Sequence, residues 1–267
     1  MFAARTSLIL ALCVSCYSSR SFGASEPVED LLAATYRLDD GEHSGTCFLV
    51  KETAAECPRP KQAILVTAKH VLEQMIGDEC ELILRSKSED GDYVRRGVSI
   101  AIRRERNRLW TQHPDVDVAA LRIELPDDVE TTLISVDQIA GEDQLIDRTV
   151  RVGQETWIAC YPAKLEANHA GWPILRKGSI ASHPLIPLKE TRTLLVDYSV
   201  FGGDSGAPVA VIVKDRLMIV GLASSMQRQT DRTSIPFEDR VVHTPLALSI
   251  VVQAPFLRET IGFLRPQ

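Results

Sequence analysis

Short apolar runs separated by turn residues follow one another along most of the chain. The runs are rich in Val, Ile and Leu, and Gly, Pro, Asn or Asp stand between them, a pattern that predicts strands. In the first half the predicted strands lie at 45–50, 62–67, 80–85, 93–105 and 117–124. In the second half they lie at 148–153, 156–162, 171–182, 191–200, 208–214, 216–225 and 240–246.

Helical spacing is confined to two segments, 68–76 and the C-terminal tail 245–264. Between the two groups of strands lies an acidic, weakly periodic segment, for which we predict a linker at 129–147. Many strands, few helices and a central linker favour an all-β fold of two six-stranded antiparallel β-barrels packed side by side. We assign the barrels to residues 26–128 and 148–267, with the active site in the cleft between them and a short C-terminal helix.

The composition narrows the classes of partner. Of the 267 residues, 45% are hydrophobic and 25% are charged, which is enough apolar material for a large core. The net charge of -6 is spread along the chain without long runs of one sign, which argues against nucleic acid or an anionic membrane surface as the main partner. No dinucleotide fingerprint or phosphate loop occurs, so we expect no cofactor.

The first 25 residues have the pattern of an export signal. Arg5 precedes an apolar stretch at 8–16, and small residues follow it. The stretch is too short to span a bilayer but fits a signal peptide, so we predict that residues 1–25 are removed and that the protein is secreted or periplasmic. Two alternatives remain: a short N-terminal core helix, and a lipoprotein that lipidation of Cys16 attaches to a membrane.

Export also affects how the cysteines are interpreted. Removal of the signal leaves Cys47, Cys57, Cys80 and Cys160, without the C-x-x-C spacing typical of zinc sites, so no metal site is expected. In an oxidising compartment a disulfide between Cys57 and Cys80 would close a loop around the segment between them. The alternative is four buried free thiols.

The stretch FGGDSGAPV, residues 201–209, places a serine among three glycines between two apolar runs. A serine hydroxyl needs a base and oxyanion donors to act as a nucleophile. Glycine at 203 and 206 would let the backbone turn tightly enough for the N–H groups of Gly203 and Ser205 to point into one small space. The pattern predicts Ser205 as the nucleophile and Gly203 and Ser205 as the oxyanion hole, with a plain surface turn as the alternative.

A base and an orienting acid have candidates elsewhere in the chain. Of the six histidines, only His70 directly follows a fully apolar strand and a small-residue turn, in ILVTAKHV. The segment DVDVAALRIE offers Asp115 and Asp117 at the start of a strand. Asp117 adjoins the apolar run and is the better candidate, although the pattern alone does not separate the two.

Taken in order, TAKH, DVDVAAL and GDSGAPV resemble the trypsin-like (chymotrypsin-fold) serine peptidases, and among them the bacterial secreted members. The resemblance implies a secreted serine endopeptidase that hydrolyses peptide bonds through a triad of Ser205, His70 and Asp117 and an acyl-enzyme intermediate. It also selects Asp117 over Asp115. The alternative is a catalytically silent homologue that binds peptides or proteins in the same cleft.

The resemblance implies further residues for the primary substrate pocket. Its base corresponds to Ser199, six residues before the nucleophile, and its wall corresponds to Ser224, Ser225 and Met226. These uncharged residues imply a small or apolar substrate side chain before the scissile bond. We expect the substrate to be a protein or peptide and the enzyme to be a monomer.

Asp204 is the residue of this loop for which the sequence offers no partner. In the digestive members of the family, the corresponding aspartate pairs with a new N-terminal amine released before an Ile-Val-Gly-Gly segment, and no such segment occurs here. Asp204 must therefore find another partner or remain solvated.

Overall fold

The computed structural model describes residues 26–51, 62–235 and 238–264. The predicted signal peptide, with Cys16, and also Cys57 lie outside the described residues. Strands are the main secondary structure of the described chain, as the sequence predicts, and make up nearly half of it. They form an eight-stranded sheet, a six-stranded sheet and a separate two-stranded hairpin.

The first half of the chain forms the eight-stranded sheet and the hairpin. Its strands are β1 (Thr35–Asp39), β2 (Ser44–Lys51), β3 (Gln62–Thr67), β4 (Glu79–Lys87), β5 (Tyr93–Ala101), β6 (Arg103–Arg104), β7 (Asn107–Arg108), β8 (Thr111–Gln112), β9 (Ala119–Glu124) and β10 (Ile134–Ser135). The order across the sheet is β5-β4-β1-β2-β3-β9-β8, with β10 paired in parallel to β2, and β6 pairs with β7. The apolar runs of β2 and β3 are buried along most of their length and lie at the centre of this core.

The second half forms the six-stranded sheet. Its strands are β11 (Glu155–Cys160), β12 (Ile174–Ser179), β13 (Thr193–Asp197), β14 (Pro208–Val213), β15 (Arg216–Ile235) and β16 (Glu238–Gln253). The order across the sheet is β12-β11-β14-β15-β16-β13. β15 and β16 are the longest described strands, and only their inner parts are buried.

The all-β architecture of two sheets with a short C-terminal helix is confirmed, but the barrels differ from the predicted ones. The first sheet has eight strands rather than six, because the two-residue β8 adds to one edge and the two-residue β10 pairs with the end of the inner strand β2. Among the described residues, no continuous ladder closes either sheet on itself. The end strands of the second sheet meet instead through a single antiparallel bridge between Ile180 and Val196.

Within the described residues the α-helices are α1 (Pro27–Ala33), α2 (Lys69–Gln74), α3 (Glu142–Ile146) and α4 (Ala254–Gly262), and there are short 3-10 helices at Val136–Gln138 and Pro162–Lys164. α3 lies in the segment predicted as a linker. The helix predicted over 245–264 begins only at Ala254, because residues 248–252 pair with β13 and extend β16. No helix in this part of the chain is long and apolar enough to cross a membrane.

Two predicted strands are interrupted by turns. The strand predicted at 93–105 ends at Ala101, and after the short β6 the backbone turns at Glu105 and Arg106, whose φ angles are 51° and 67°. The strand predicted at 148–153 is a turn, with Arg148 and Gly153 also at positive φ. In both places a local turn stands where the sequence predicts that strand pairing continues.

Cys47, Cys80 and Cys160 are free and buried. Cys80 is therefore unbridged in the structure, and its predicted partner Cys57 lies outside the described residues. Burial raises the pKa of Cys80 to about 12, so its thiol stays protonated at neutral pH. The alternative of buried free thiols describes these three residues.

Arg85 of β4 ties the two halves of the molecule together. Its guanidinium is buried and donates to the backbone oxygens of Ala33 at 2.8 Å and Thr35 at 3.0 Å. It also donates to the Tyr161 hydroxyl and the Gly171 carbonyl, both at 3.2 Å, in the second half. Because this one buried side chain donates hydrogen bonds to residues of both halves, it helps to fix their relative position at the cleft.

Candidate active site

The three predicted catalytic side chains come from three separate segments of the chain that meet at the cleft. His70 lies in the first turn of α2 directly after β3, Asp117 lies two residues before β9, and Ser205 lies in the turn before β14. β3 pairs with β9 up to Thr67 and Ala119, and this pairing brings His70 and Asp117 to the same end of the sheet.

His70 and Asp117 form a close pair. His70 Nδ1 lies 2.6 Å from Asp117 Oδ2, and Asp117 Oδ1 accepts the backbone N–H of His70 at 3.0 Å. The Ser224 hydroxyl donates to Asp117 Oδ2 at 2.5 Å. Burial alone would raise the pKa of Asp117, but the hydrogen bonds from His70 and Ser224 outweigh it and hold that pKa below its ordinary value. The carboxylate is therefore ionised behind the imidazole at neutral pH.

Asp115, the alternative acid, has different surroundings. Its carboxylate is half exposed and lies 3.9 Å from Arg192 Nη1. The backbone N–H of Asp115 donates to His113 Nδ1 at 3.1 Å and makes no contact with His70. Of the two aspartates, Asp117 is the one that contacts His70.

Gly203 and Gly206 shape the turn around Ser205. Their φ angles are +96° and +91°, a region that glycine adopts readily and other residues resist. A Cβ on Gly203 would lie 2.3 Å from the Tyr161 carbonyl oxygen, and one on Gly206 would lie 1.9 Å from the Thr46 carbonyl oxygen. Both positions therefore require glycine, as the sequence predicts from the tight turn of the backbone around Ser205.

Thr46 of β2 holds the same turn from the other sheet. Its hydroxyl donates to the Gly203 carbonyl at 2.7 Å, and its backbone N–H donates to the Ser205 carbonyl at 2.8 Å. Within the described part of the chain, the N–H groups of Gly203 and Ser205 have no hydrogen-bond acceptor. Two unpaired donors on one rigid turn are what an oxyanion hole needs.

The Ser205 hydroxyl donates to the Ser224 carbonyl at 3.0 Å. Among the described residues it makes no hydrogen bond with His70, although both side chains line the same two cavities. The predicted nucleophile and the predicted base thus lie in one cleft, with the Ser205 hydroxyl bonded to Ser224 and not to the imidazole.

Asp204 has an internal cation as its partner. Its side chain is fully buried, and Oδ2 accepts from Arg176 Nη1 at 3.0 Å and from the Phe201 N–H at 2.9 Å. Burial raises the pKa of Asp204 above its ordinary value, against the hydrogen bond from Phe201 and the charge of Arg176. Arg176 belongs to β12, so the loop obtains its cation from a neighbouring strand without a released N-terminal amine.

A cavity of about 470 Å³ opens on one side of Ser205. Besides Ser205 it is lined by His70, Asp117, Val200, Phe201, Gly202, Ser224, Ser225, Met226 and Arg228. The three predicted wall residues are in this lining, whereas Ser199 is not, and its neighbour Val200 lies there instead. The lining is mainly apolar, with one cation at its edge.

A second cavity of about 570 Å³ opens on the other side of Ser205. Besides Ser205, its lining includes His70, Gly202, Gly203, Glu42, His43, Ser44, Gln74 and Lys164. Ser205 and His70 thus stand between two cavities, an arrangement that can hold both sides of a bond that is to be cut.

The sequence model of the trypsin family matches residues 40–241, which is more than half of the chain and includes His70, Asp117 and Ser205. The chain belongs to the trypsin family. It is therefore a trypsin-like serine peptidase, a serine-type endopeptidase that acts on proteins or peptides.

Two solved structures are similar to this trypsin-family chain. AL20, a thermostable serine protease from an extremophilic microorganism, has a TM-score of 0.51 at 12% identity, over 89% of this chain and 98% of its own. An inactive mutant form of Rv3671c from M. tuberculosis has a TM-score of 0.47 at 16% identity, over 89% of this chain and 90% of its own. At such identities the likeness to AL20 shows the fold alone. No curated protein sequence matches the chain.

Three residues of this trypsin-family site lie outside the sequence prediction, namely Thr46, Arg176 and Arg228. Each is a polar residue in a strand, and the alternation of the sequence does not show which of them points into the cleft. Ser224 was predicted as a substrate-binding residue, and in the structure it also bonds Asp117.

Proposed function

We propose that the chain is a secreted serine endopeptidase with Ser205 as nucleophile, His70 as base and Asp117 as orienting acid. The observation that carries the proposal is the close pair of His70 and Asp117, which lies beside Ser205 between two cavities. Family membership supplies the reaction class, and the pattern of residues 1–25 supports export.

Acylation begins when the Ser205 hydroxyl rotates from the Ser224 carbonyl toward His70 Nε2, because Nδ1 of the ring is engaged by Asp117. The serine oxygen bonds to the substrate carbonyl carbon, the C=O π electrons move onto oxygen, and the serine proton passes to Nε2. Asp117 fixes the orientation of the ring and stabilises the imidazolium without taking its proton.

The N–H groups of Gly203 and Ser205 bind the negative oxygen of the tetrahedral intermediate. The C–N bond then breaks, the leaving amine takes the proton from His70, and an ester to Ser205 remains. Water attacks this ester with His70 again as base, and the serine regains its proton as the carboxylic acid leaves. In other enzymes one oxyanion donor contributes about 10²- to 10³-fold to turnover.

The first cavity favours a small or apolar substrate side chain on the acyl side of the scissile bond. Val200 and Met226 give its wall apolar surface, and apolar lining selects by shape and desolvation. Ser224 and Ser225 add uncharged polar groups to the same wall. Among the described residues that line this cavity, the one acid is Asp117, and because it is engaged with His70 it is not free to recruit Lys or Arg.

A silent peptide-binding homologue is the second candidate function. One observation favours it, since the Ser205 hydroxyl donates to Ser224 rather than to His70. Rotation of one side-chain bond reverses this arrangement, and such rotations are fast compared with turnover. The presence of Ser205, His70 and Asp117 in one cleft therefore favours the enzyme.

The test compares the folded chain from residue 26 onward with its Ser205→Ala variant on a mixture of unstructured peptides. Mass spectrometry of the products should show internal cuts by the wild type and none by Ser205→Ala. If the wild type binds peptides without cutting them, the silent homologue is the correct function.

Export is tested by expressing the full chain and determining the N-terminus of the product outside the cytoplasm. A mature chain that begins near residue 25 supports the signal peptide. A chain that begins at a lipidated Cys16 supports the lipoprotein alternative, and a product that keeps its first residues inside the cell would contradict both.

A further inference from the structure

A third cavity, of about 370 Å³, lies where the two halves of the molecule meet. The first half contributes the end of α1, residues of β1, β4 and β5, and residues 130–132, and the second half contributes Trp172. Its lining residues differ from those of both cavities beside Ser205. Its volume is within the range of small-molecule sites, about 300–1,000 Å³. We call it the seam cavity, and it is a candidate ligand site distinct from the catalytic cleft.

A buried arginine lines the seam cavity. Arg85 is only 4% exposed, and its guanidinium carbon lies 4.4 Å from the ring centre of Tyr36 and 4.4 Å from the ring centre of Trp172. Cation–π contacts with two rings fix the position of the guanidinium. The charge is therefore held in place before any ligand arrives.

Arg85 has no acidic partner. Its Nη1 and Nη2 donate to backbone carbonyls and to the Tyr161 hydroxyl. Within the described residues, its Nε makes no hydrogen bond and the guanidinium forms no salt bridge. Carbonyls and hydroxyls supply dipoles but no opposite charge, and a buried charge without a counter-charge is costly. An anion in the seam cavity would supply that counter-charge.

A second cation lines the same cavity. Lys87 follows Arg85 by two residues on β4, so both side chains lie on one face of the strand. Its Nζ lies 5.5 Å from the ring centre of Tyr93, and among the described residues it forms no salt bridge. The Tyr93 ring meets the Trp172 ring edge to face, with 5.1 Å between the ring centres. Both cations therefore belong to one cluster with the aromatic walls.

One acid, Glu130, is part of the described lining. It is exposed, and it forms no described salt bridge with Arg85 or Lys87. The acidic turn at 89–92 is also exposed and contributes no residue to the lining other than by leading into Tyr93. Two cations and one acid leave the lining with a net charge of +1, which suits a singly charged anion better than a doubly charged one.

The neighbouring strand brings a further carboxylate, but other cations bind it. The register places Arg95 opposite Arg85, and Arg95 Nε lies 3.4 Å from Glu166 Oε1. The same oxygen lies 3.2 Å from Arg37 Nη1. Glu166 is thus shared by two other arginines, and it does not line the seam cavity.

We propose that the seam cavity binds a small aromatic monocarboxylate, with its carboxylate at Arg85 and Lys87 and its ring against Trp172 and Tyr93. Hydrogen bonds to charged groups are the strong ones, and aromatic rings pack favourably edge to face or offset. A free aromatic acid and the C-terminal aromatic residue of a peptide share this chemistry. The inference does not depend on the proposed endopeptidase function.

The first test compares three small probes by isothermal titration calorimetry on the folded wild type. Benzoate should bind at least about ten-fold more tightly than benzyl alcohol, which lacks the charge, and than acetate, which lacks the ring. Equal affinities for benzoate and either analogue would overturn the proposal. So would the absence of benzoate binding at about 10 mM.

The second test distinguishes the two sources of the carboxylate. N-acetylphenylalanine represents the C-terminus of a peptide, and its amide lacks the charge. If the acid binds as tightly as benzoate, peptide C-termini are ligands. If it binds at least about ten-fold more weakly, the ligand is a free acid. The proposal predicts one of these two results, with little binding of the amide, and equal binding of acid and amide would reject it.

The third test changes the charge of the lining in both directions. Lys87→Gln should weaken benzoate binding several-fold, and Glu130→Gln should strengthen it several-fold, because the first removes an attraction and the second a repulsion. Lys177→Gln is the matched control, since Lys177 is also exposed and lies 5.2 Å from a ring centre, that of Trp157, outside the cavity. Unchanged affinity in both lining variants, or an equal loss in the control, would reject the site.

The last test locates the bound benzoate. The chain has three tryptophans, and each indole N–H gives one signal in a ¹⁵N–¹H spectrum. Benzoate should shift the signal that is lost in Trp172→Phe and leave the other two in place. Arg228, at the edge of the catalytic cavity, is another cation that a carboxylate can meet, and Arg228→Gln should leave the affinity unchanged. A loss of binding in Arg228→Gln, with no shift at Trp172, would place benzoate in the catalytic cleft and overturn the proposal.

Discussion

The two sides of the active site are held in different ways. On the side of the proposed base, His70 and Asp117 are held by hydrogen bonds to each other, and Asp117 also accepts a hydrogen bond from Ser224. On the nucleophile side, the turn around Ser205 is held by a buried ion pair and by a contact from the opposite sheet. The side of the proposed base thus depends on its immediate partners. The side of the proposed nucleophile depends on Thr46 and Arg176, which line neither of the two cavities beside Ser205.

The largest effect is expected from removing either reacting group. Ser205→Ala and His70→Ala should each lower kcat by about 10⁶-fold, and the double variant should lose little more, because the two groups act as one unit. The exposed His169 provides the control, since His169→Ala should leave kcat unchanged. Additive losses in the double variant would contradict the pairing of Ser205 with His70.

The next largest effect concerns the orientation of the base. Asp117→Asn should lower kcat by about 10⁴-fold while the fold stays intact, because the amide favours the wrong imidazole tautomer. Asp115→Asn is the matched control and should change kcat little, since Asp115 contacts Arg192 and not His70. The measurement is kcat of both variants with the same peptide. A larger loss of kcat in Asp115→Asn than in Asp117→Asn would reject Asp117 as the orienting acid.

On the nucleophile side the largest remote effect should come from Arg176. Arg176→Met leaves Asp204 buried without a cation, which should cost about 3 kcal/mol in the free energy of unfolding and should also lower kcat. Lys177→Met on the same strand removes an exposed pair with Glu155 and a contact with the Trp157 ring, and should cost about 1 kcal/mol or less. Denaturant unfolding of both variants checks this, and equal costs would mean that the buried pair does not hold the loop.

The smallest effect is the contribution of Asp117 to the pH dependence of stability. Its pKa is lower in the folded chain than its ordinary value, so the unfolded chain binds more protons between the two values and stability rises with pH. This stabilisation is fully present above about pH 4 and is lost as the pH falls through the folded pKa. The free energy of unfolding should therefore fall more steeply from pH 6 to pH 3 in the wild type than in Asp117→Asn.

The base side was more accessible to sequence reasoning than the nucleophile side. His70 and Asp117 follow or precede apolar strands that pair with each other, so short local patterns place them correctly relative to those strands. The glycines at 203 and 206 are equally local in one respect, because each has a positive φ angle of its own, although the carbonyl oxygens that would meet an added Cβ come from the distant residues Tyr161 and Thr46.

Long-range contacts explain what the sequence did not reveal. Arg176 lies 28 residues before Asp204 on a strand that alternates like a solvent-facing one, and only the order of the second sheet brings the two together. The outer part of β15 was missed for a related reason. The sequence predicts strands only at 216–225 and 240–246, whereas β15 continues to Ile235 and β16 begins at Glu238. The described side chains at 227–234 are all exposed, so this stretch lacks the apolar alternation by which a strand is recognised.

The central claim is that Ser205 is a nucleophile activated by His70, and covalent labelling tests it most directly. The folded chain is treated with a fluorophosphonate, and the modified residue is located by mass spectrometry. We expect an adduct on Ser205 that is absent in Ser205→Ala and forms far more slowly in His70→Ala. An unlabelled wild type under folded conditions, or an adduct that forms equally fast without His70, would contradict the account.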